Sequence, residues 1–337
     1  MPLEGALGPN GRLDEAQAFP ITEPDAVCVN QDGHLLVSSG SNVVRIRQWG
    51  NAPEIWGIFD APITALAVSE GGRVATGLRG GRIIVRDAAG DSLTGWKPAT
   101  TLHSVADCLF LSEDELLVVD HGYEPSEPIL SVAPWDQTAR GRLVAIARTG
   151  ETRVIAAGLH CPMGVVRGQD GVLAFTEMVR ARVVEASGTV IQSGFPAYLA
   201  RIRKVGDGYA LACLSRRDPL IEFLKTERDF VARMKANIDP QHWISPRMTP
   251  EFSHDFPIEL GATRLFGEIK PWAPSFSYGL VIETDAAMTP VGSAHSRANG
   301  VRHAISDVTA WDGSLIAVSR ASEEILKFRP LGNGHER

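Results

Sequence analysis

One pattern constrains this chain more than any other feature: a turn, an apolar strand, a small or polar break and a second apolar strand, repeated along its length. Five copies are plain: GHLLVSSGSNVVRIR from Gly33, GRVATGLRGGRIIVRD from Gly72, DGVLAFTEMVRARVVEA from Asp170, DGYALACLSRRDPLIEFL from Asp207 and DGSLIAVSRASEEILKFR from Asp312. A sixth, EDELLVVDHG from Glu113, meets its return strand GRLVAIAR only after a polar excursion between Tyr123 and Arg140. Each copy follows another short apolar strand, in turn AVCV, ALAV, CLFL, GVV, RIRKV and DVTA. Short strands rich in Val, Ile and Leu, punctuated by Asp-Gly or Gly-Gly, are hairpin signals. Such a unit cannot bury its apolar faces alone and needs neighbours of its own kind. Repeated six times, it specifies an all-β, six-bladed β-propeller with one four-stranded sheet per blade.

Composition agrees. Thirty-three glycines and 21 prolines among 337 residues call for many turns. Length alone would suggest two domains at about 150 residues each, but the repeat makes residues 1–337 one propeller domain. The rhythm breaks late, with an insertion over about residues 225–276 between blades 5 and 6. Just before it, Asp218-Pro219 supplies a helix cap and first-turn proline, and Leu220, Leu224, Val231, Met234 and Ile238 fall at helical spacing. One amphipathic helix, broken near Thr226, is expected, packed on the propeller or capping its channel, followed by a segment carrying Trp243, Phe252, Phe256, Phe266 and Trp272.

The formal net charge of −7 leaves no broad basic surface, which argues against nucleic acid as a partner. No apolar run reaches the roughly 18 to 20 residues that span a bilayer. The N-terminus lacks a basic start followed by an apolar stretch, so a cytoplasmic location is expected. Cys28, Cys108, Cys161 and Cys213 are scattered without metal-site spacing and read as free, buried thiols. No nucleophile elbow, phosphate loop or dinucleotide fingerprint is present.

Residues 141–184 (GRLVAIARTGETRVIAAGLHCPMGVVRGQDGVLAFTEMVRARVV), FPAYLARIRKVGDGYALA, KPWAPSFSYGLVIETD and AHSRANGVRHAISDVTAWDGSLIAVS together resemble the strictosidine synthase-like branch of the six-bladed propellers. That branch is related to the gluconolactonase (SMP-30) and paraoxonase-type lactonases, and the resemblance runs from about Thr22 to Pro330. It implies a ligand site at one end of the central channel, and it is specific for fold rather than reaction.

Superposing the repeats on their turn glycine gives the positions where the inner strands enter the channel. Counting eight residues back yields Asp25, Thr64, Ala106, Met163, Ala200 and Ile305; counting seven yields Ala26, Ala65, Asp107, Gly164, Arg201 and Ser306. Lactonase relatives hold a divalent cation here with acidic and amide side chains. This chain has Met163-Gly164 where the resemblance implies Asn-Gly, and Ala200-Arg201 where it implies Asp-Asn. A thioether is a poor ligand for a hard cation, and a guanidinium is repelled by one. Only Asp25 and Asp107 remain, so no cofactor is expected; Ca2+ or another divalent cation on those two is the alternative. Strictosidine synthases use a glutamate near the start of the last blade, and that position falls on Ser306, with Asp307 facing the other way.

The candidate catalytic groups are therefore His160, His103, Asp107 and Asp25, the histidines being suited to proton transfer near neutrality. Candidate substrate contacts are Arg201, Thr64, Met163, Ser306 and His121. Arg201 either binds a substrate oxyanion or pairs with Asp107 or Asp25. Glu177, Arg180 and Arg182 read as blade-to-blade pairs, and His295 and His303 as part of a hairpin that helps close the ring. Three functions stay open: a metal-independent enzyme making or breaking a ring or acting as a lyase, a cation-dependent lactone or ester hydrolase, and a non-catalytic ligand-binding propeller.

Overall fold

Neighbouring sheets press face to face around a common axis, and that arrangement sets where every apolar side chain goes. The computed structural model describes residues 3–93, 95–97, 102–168, 170–250 and 277–331, together with the backbone of two short strands at Arg264–Leu265 and Glu268–Ile269. The molecule is a six-bladed β-propeller, and its inner strands are Val27–Val29, Ile63–Val68, Asp107–Ser112, Pro162–Arg167, Ala197–Val205 and Ile305–Trp311. Each inner strand contacts the next, the last contacts the first, and every one contains its apolar tetrad or triad from the repeat. All blades carry four antiparallel strands except the second, which has three among the described residues.

Strands covered on both faces read as continuous apolar runs. Leu116–Val119 and Leu315–Val318 are accordingly buried throughout. The core lies between blades: Leu36 and Val43 of blade 1 pack with Leu66 and Val74 of blade 2, while Leu35 and Val37 pack with Ile316 and Val318 of blade 6. Truncating such a leucine to alanine costs about 2–5 kcal/mol, because the opposing sheet cannot collapse into the space.

Strand Gln17–Pro20, from the other end of the chain, supplies the outer strand of blade 6, pairing Gln17 with Lys327 and Pro20 with Glu324. Arg302 fixes the approach to it by donating to the carbonyls of Leu13, Asp14 and Ala16 at 2.7, 2.8 and 2.9 Å. The hairpin with His295 and His303 contributes: the His295 carbonyl accepts from Leu13 N, its amide donates to Asn10, and both rings pack on Tyr278.

The late helical segment is present, leaving the second strand of blade 5 (Gly208–Arg216) and returning to its third (Gly279–Thr284), so that it precedes blade 6 from within the fifth sheet. It forms two helices, Pro219–Leu224 and Arg228–Asn237, and the Asp218 carboxylate caps the first by accepting from Leu220 N at 2.9 Å. Ile221 and Met234 are buried with Trp135 and Trp243, so the helices pack on the blade 3 excursion, whereas Leu220 and Ile238 of the expected stripe face out. Phe252, Phe256, Phe266 and Trp272 lie outside the described residues. No described helix is long and apolar enough to cross a membrane.

Candidate functional site

Four of the six inner strands share a local irregularity that builds the site, while in blades 1 and 3 the cavity residue lies just before the strand. Register skips Thr64 between the pairs Ile63–Leu78 and Ala65–Gly77, Met163 between Pro162–Glu177 and Gly164–Thr176, and Ser306 between Ile305–Ser319 and Asp307–Val318. In blade 5 it skips both Ala200 and Arg201. A bulge re-aims the extra residue out of the ladder, here into the channel. The result is a cavity of about 240 Å3 whose deep end is lined by Asp25, Thr64, Ala106, Met163, Ala200, Arg201 and Ser306. Five of these are the positions counted eight back from the turn glycine, and Arg201 and Ser306 are those counted seven back; Ser306 rather than Ile305 reaches the cavity because the last blade's bulge falls one residue later.

Arg201 forms the floor. Although it is 4 % exposed, its donors are well matched: Nε to the Ala106 carbonyl at 3.0 Å, Nη1 to the carbonyls of Asp25 at 2.7 Å and Ser306 at 3.1 Å, and Nη2 to the Thr64 carbonyl. A side chain from blade 5 thus ties together the strand starts of blades 1, 2, 3 and 6. Asp25 Oδ1 lies 3.3 Å from Nη1 and adds charge. Two residues further along the same face, Arg203 sits beneath it, forked onto Asp107 at 2.7 and 2.9 Å and reaching Asp307 at 3.1 Å. Burial alone would lower the pKa of Arg203, but Asp107 and Asp307 outweigh it and hold the group above its ordinary value. Burial moves Asp307 the other way, above the usual carboxylate range.

Asp107 is therefore not at the site surface. It is fully buried and bonded to Arg203 and to Val165 N at 2.9 Å. Of the two expectations for Arg201, the structure shows the pairing, with four of its five N–H donors given to propeller carbonyls. Its pairing with Asp25 is close, while Asp107 lies at 3.8 Å. These residues do not fit a divalent cation: a guanidinium holds the axial oxygens, and Asp107 and Asp307 are bonded to a second one. Among the described residues no cluster of three His, Cys, Asp or Glu side chains is arranged to hold a metal.

The open end of the cavity is organised by Asp120, at the end of the second strand of blade 3. Its carboxylate accepts from His103 N, Ser104 N, Ser104 Oγ and Gly122 N, and pairs with Arg142 at 3.0 Å. This one buried group fixes the backbone beside both mouth histidines. The same device recurs: Ser38 Oγ accepts from Asp25 N and Ala26 N in blade 1, and Glu177 from His160 N in blade 4. Glu177 and Arg182 thus pair within blade 4 rather than between blades.

His103 Nδ1 lies 2.8 Å from Glu124 Oε1. A carboxylate accepts, so Nδ1 carries the proton and Nε2 keeps its lone pair. His121 is set oppositely, because its Nδ1 accepts from Tyr123 N at 3.1 Å, leaving the proton on Nε2. Burial drives the His121 pKa down to about 4 against the opposing pull of Asp120 and Glu127, so the ring is neutral at pH 7. One mouth histidine is an acceptor and the other a donor. Thr64 contributes its carbonyl to Arg201, and its Oγ1 is buried without a partner. Ser306 Oγ is committed, donating to the Asp25 carbonyl at 2.7 Å.

His160 is not part of this site. It lies in a separate cleft with Asp136, Arg180 and Lys225, where its Nε2 accepts from Arg180 at 2.8 Å; burial first and Arg180 second lower its pKa. The four cysteines are free, and burial pushes every thiol pKa upward, Cys28 to about 12. Sequence reasoning missed Asp120, Arg203, Tyr123, Glu124, Arg79, Arg320 and Met248, all but the first two of which line the cavity. A signal existed for Arg203, two residues from Arg201 on the same strand face.

A solved structure of a candidate gluconolactonase matches this chain with a TM-score of 0.54 and 11% identity, over 93% of this chain and 91% of its own. That likeness shows the fold. A nidogen/laminin complex chain matches at a TM-score of 0.44 and 14% identity, over 57% of this chain and 72% of its own. No protein-family model and no curated protein matches.

Proposed function

We propose that this chain is a small-molecule enzyme that moves protons at the channel mouth and routes no step through a divalent cation. The observation that carries the reading is the His103–Glu124 pair at 2.8 Å, which orients a basic Nε2 beside a cavity sealed below by Arg201. His103 takes a proton from the substrate, and the Nε2–H of neutral His121 donates to the oxygen on which negative charge develops. Covalent catalysis is disfavoured by the residues themselves: the Ser306 hydroxyl is spent as a donor, and Cys161 is buried with its thiol pKa raised. A ring-forming or lyase-type step next to a carbonyl fits this set best.

Incubating the protein with a panel of carbonyl compounds and lactones in D2O plus chelator, followed by NMR, tests this. Deuterium exchange or elimination that persists with chelator and falls by about 10²–10⁴-fold in His103→Gln is the expected result. Turnover unaffected by His103→Gln overturns the assignment. Ring opening of lactones lost on chelation supports the hydrolase reading, and ligand retention without turnover supports a binding propeller.

A further inference from the structure

Two arginines at the cavity mouth have no side-chain hydrogen-bond or ion-pair partner among the described residues. Arg79 directly follows the second strand of blade 2 (Val74–Leu78), and Arg320 directly follows that of blade 6 (Ser314–Ser319), so they are equivalent positions on the two blades flanking blade 1. Both line the central cavity and also the adjoining cleft beside Asp25 and Thr64. Elsewhere in the cavity wall every carboxylate is matched: Asp25 by Arg201, Glu124 by His103 and Glu127 by Arg140 at 2.9 Å. Glu23 and Glu323 line only the outer cleft, and neither makes an ion pair with Arg79 or Arg320 among the described residues. Among the described residues the mouth thus presents two guanidinium groups without a paired carboxylate, on a protein of net charge −7.

Thr64 lines the same cavity and cleft, and its buried Oγ1 lacks a hydrogen-bond partner among the described residues. Buried hydroxyls without partners are uncommon, because leaving one unbonded costs about 1–3 kcal/mol. A ligand oxygen satisfies both features at once, since guanidinium groups bind carboxylates and phosphates through charge-assisted, often two-pronged hydrogen bonds.

We infer that the substrate carries an oxyanion group, held by Arg79 and Arg320 with the Thr64 hydroxyl donating to it. This places the anionic end at the blade 1 side of the mouth and the reacting end toward His103 and His121, and it rests on reading this cavity as the substrate site. The shared chemistry is a carboxylate or a phosphate.

Titration calorimetry of the full chain with succinate and, separately, with inorganic phosphate distinguishes those sources without requiring turnover. The expected result is binding of at least one probe that weakens with added salt, falls at least about tenfold in each of Arg79→Ala and Arg320→Ala, and is retained in His103→Gln. Both arginines are remote from the buried core, so unchanged thermal midpoints certify the variants as folded. No binding of either probe, or binding indifferent to both substitutions, overturns the inference. Anion binding that survives while His103-dependent turnover is absent removes only the proposed reaction, and the converse removes only the oxyanion site.

Discussion

Arg203 grips Asp107 by a two-pronged ion pair, Nη1 to Oδ2 at 2.7 Å and Nη2 to Oδ1 at 2.9 Å, with the carboxylate wholly buried. Removing one member of such a pair strands the other in a low-dielectric interior. Asp107→Ala is therefore expected to destabilise the fold by about 3–5 kcal/mol, whereas replacing Asp107, Arg203 and Asp307 together by apolar residues of similar size costs much less. Urea unfolding of the single and triple variants measures the difference, and equal losses would show that charge burial is not the cause.

Because Arg201 already satisfies the axial oxygens, the thermal midpoint should not move on chelation or on adding Ca2+. Arg201→Met removes the donor from the carbonyls of Thr64, Ala106 and Ser306 and the counter-charge from Asp25, and should cost on the order of 3–5 kcal/mol. Arg201→Lys restores less than half of that, since an ammonium has three donors and no planar fork. Differential scanning with and without chelator reads both; a drop on chelation of the unaltered protein would sink the idea.

Stability should decline as pH falls through the interval between about 6.5 and 4. His121 and His295 are both depressed to about 4, each by burial first. The unfolded chain takes up these protons near 6.5, so the folded state's advantage is complete above that value and is lost on the way down. Each histidine contributes on the order of 2 kcal/mol at neutrality. His295→Gln, which removes one of the two, should flatten the urea midpoint between pH 7 and 4.5; an unchanged slope would place the acid sensitivity elsewhere.

In the proposed reaction Glu124 acts through His103, as a positioning residue. Glu124→Gln should lower kcat by about ten- to a hundredfold less than His103→Gln does, with KM little changed, because the imidazole is still present but its tautomer is no longer fixed. Equal losses in the two variants would mean that Glu124 itself touches the substrate.

Much of the fold was legible from one repeat. Apolar runs bounded by turn glycines identify strands whatever their distant partners, so each inner strand lay where its copy indicated, and the two counts from the glycine between them reached all seven residues at the deep end of the cavity. What escaped were properties of pairs. Asp107 looked like a cavity carboxylate because a position count cannot see that Arg203, from the inner strand of blade 5, reaches across to it. His160 looked like a channel base because its loop is sequence-adjacent to Met163, although Glu177 draws the backbone outward. Tyr123 and Glu124 sit in a polar excursion with no periodicity, and only the packing of the helices at Ile221 and Met234 shows which way that excursion folds.

The strand Gln17–Pro20 belongs to the last sheet to be completed, and its partner strand Glu324–Phe328 is made roughly three hundred residues later. A ribosome emitting this chain therefore exposes one naked strand edge for almost the whole of synthesis. Ring closure is the longest-range contact in the molecule and the one that loop-closure entropy delays most. Rejoining the ends and reopening the chain in the turn at residues 59–62, between blades 1 and 2, converts that pairing into a local hairpin, so such a permutant should complete its sixth sheet early and leave only the face-to-face packing of blade 1 on blade 2 to close the ring.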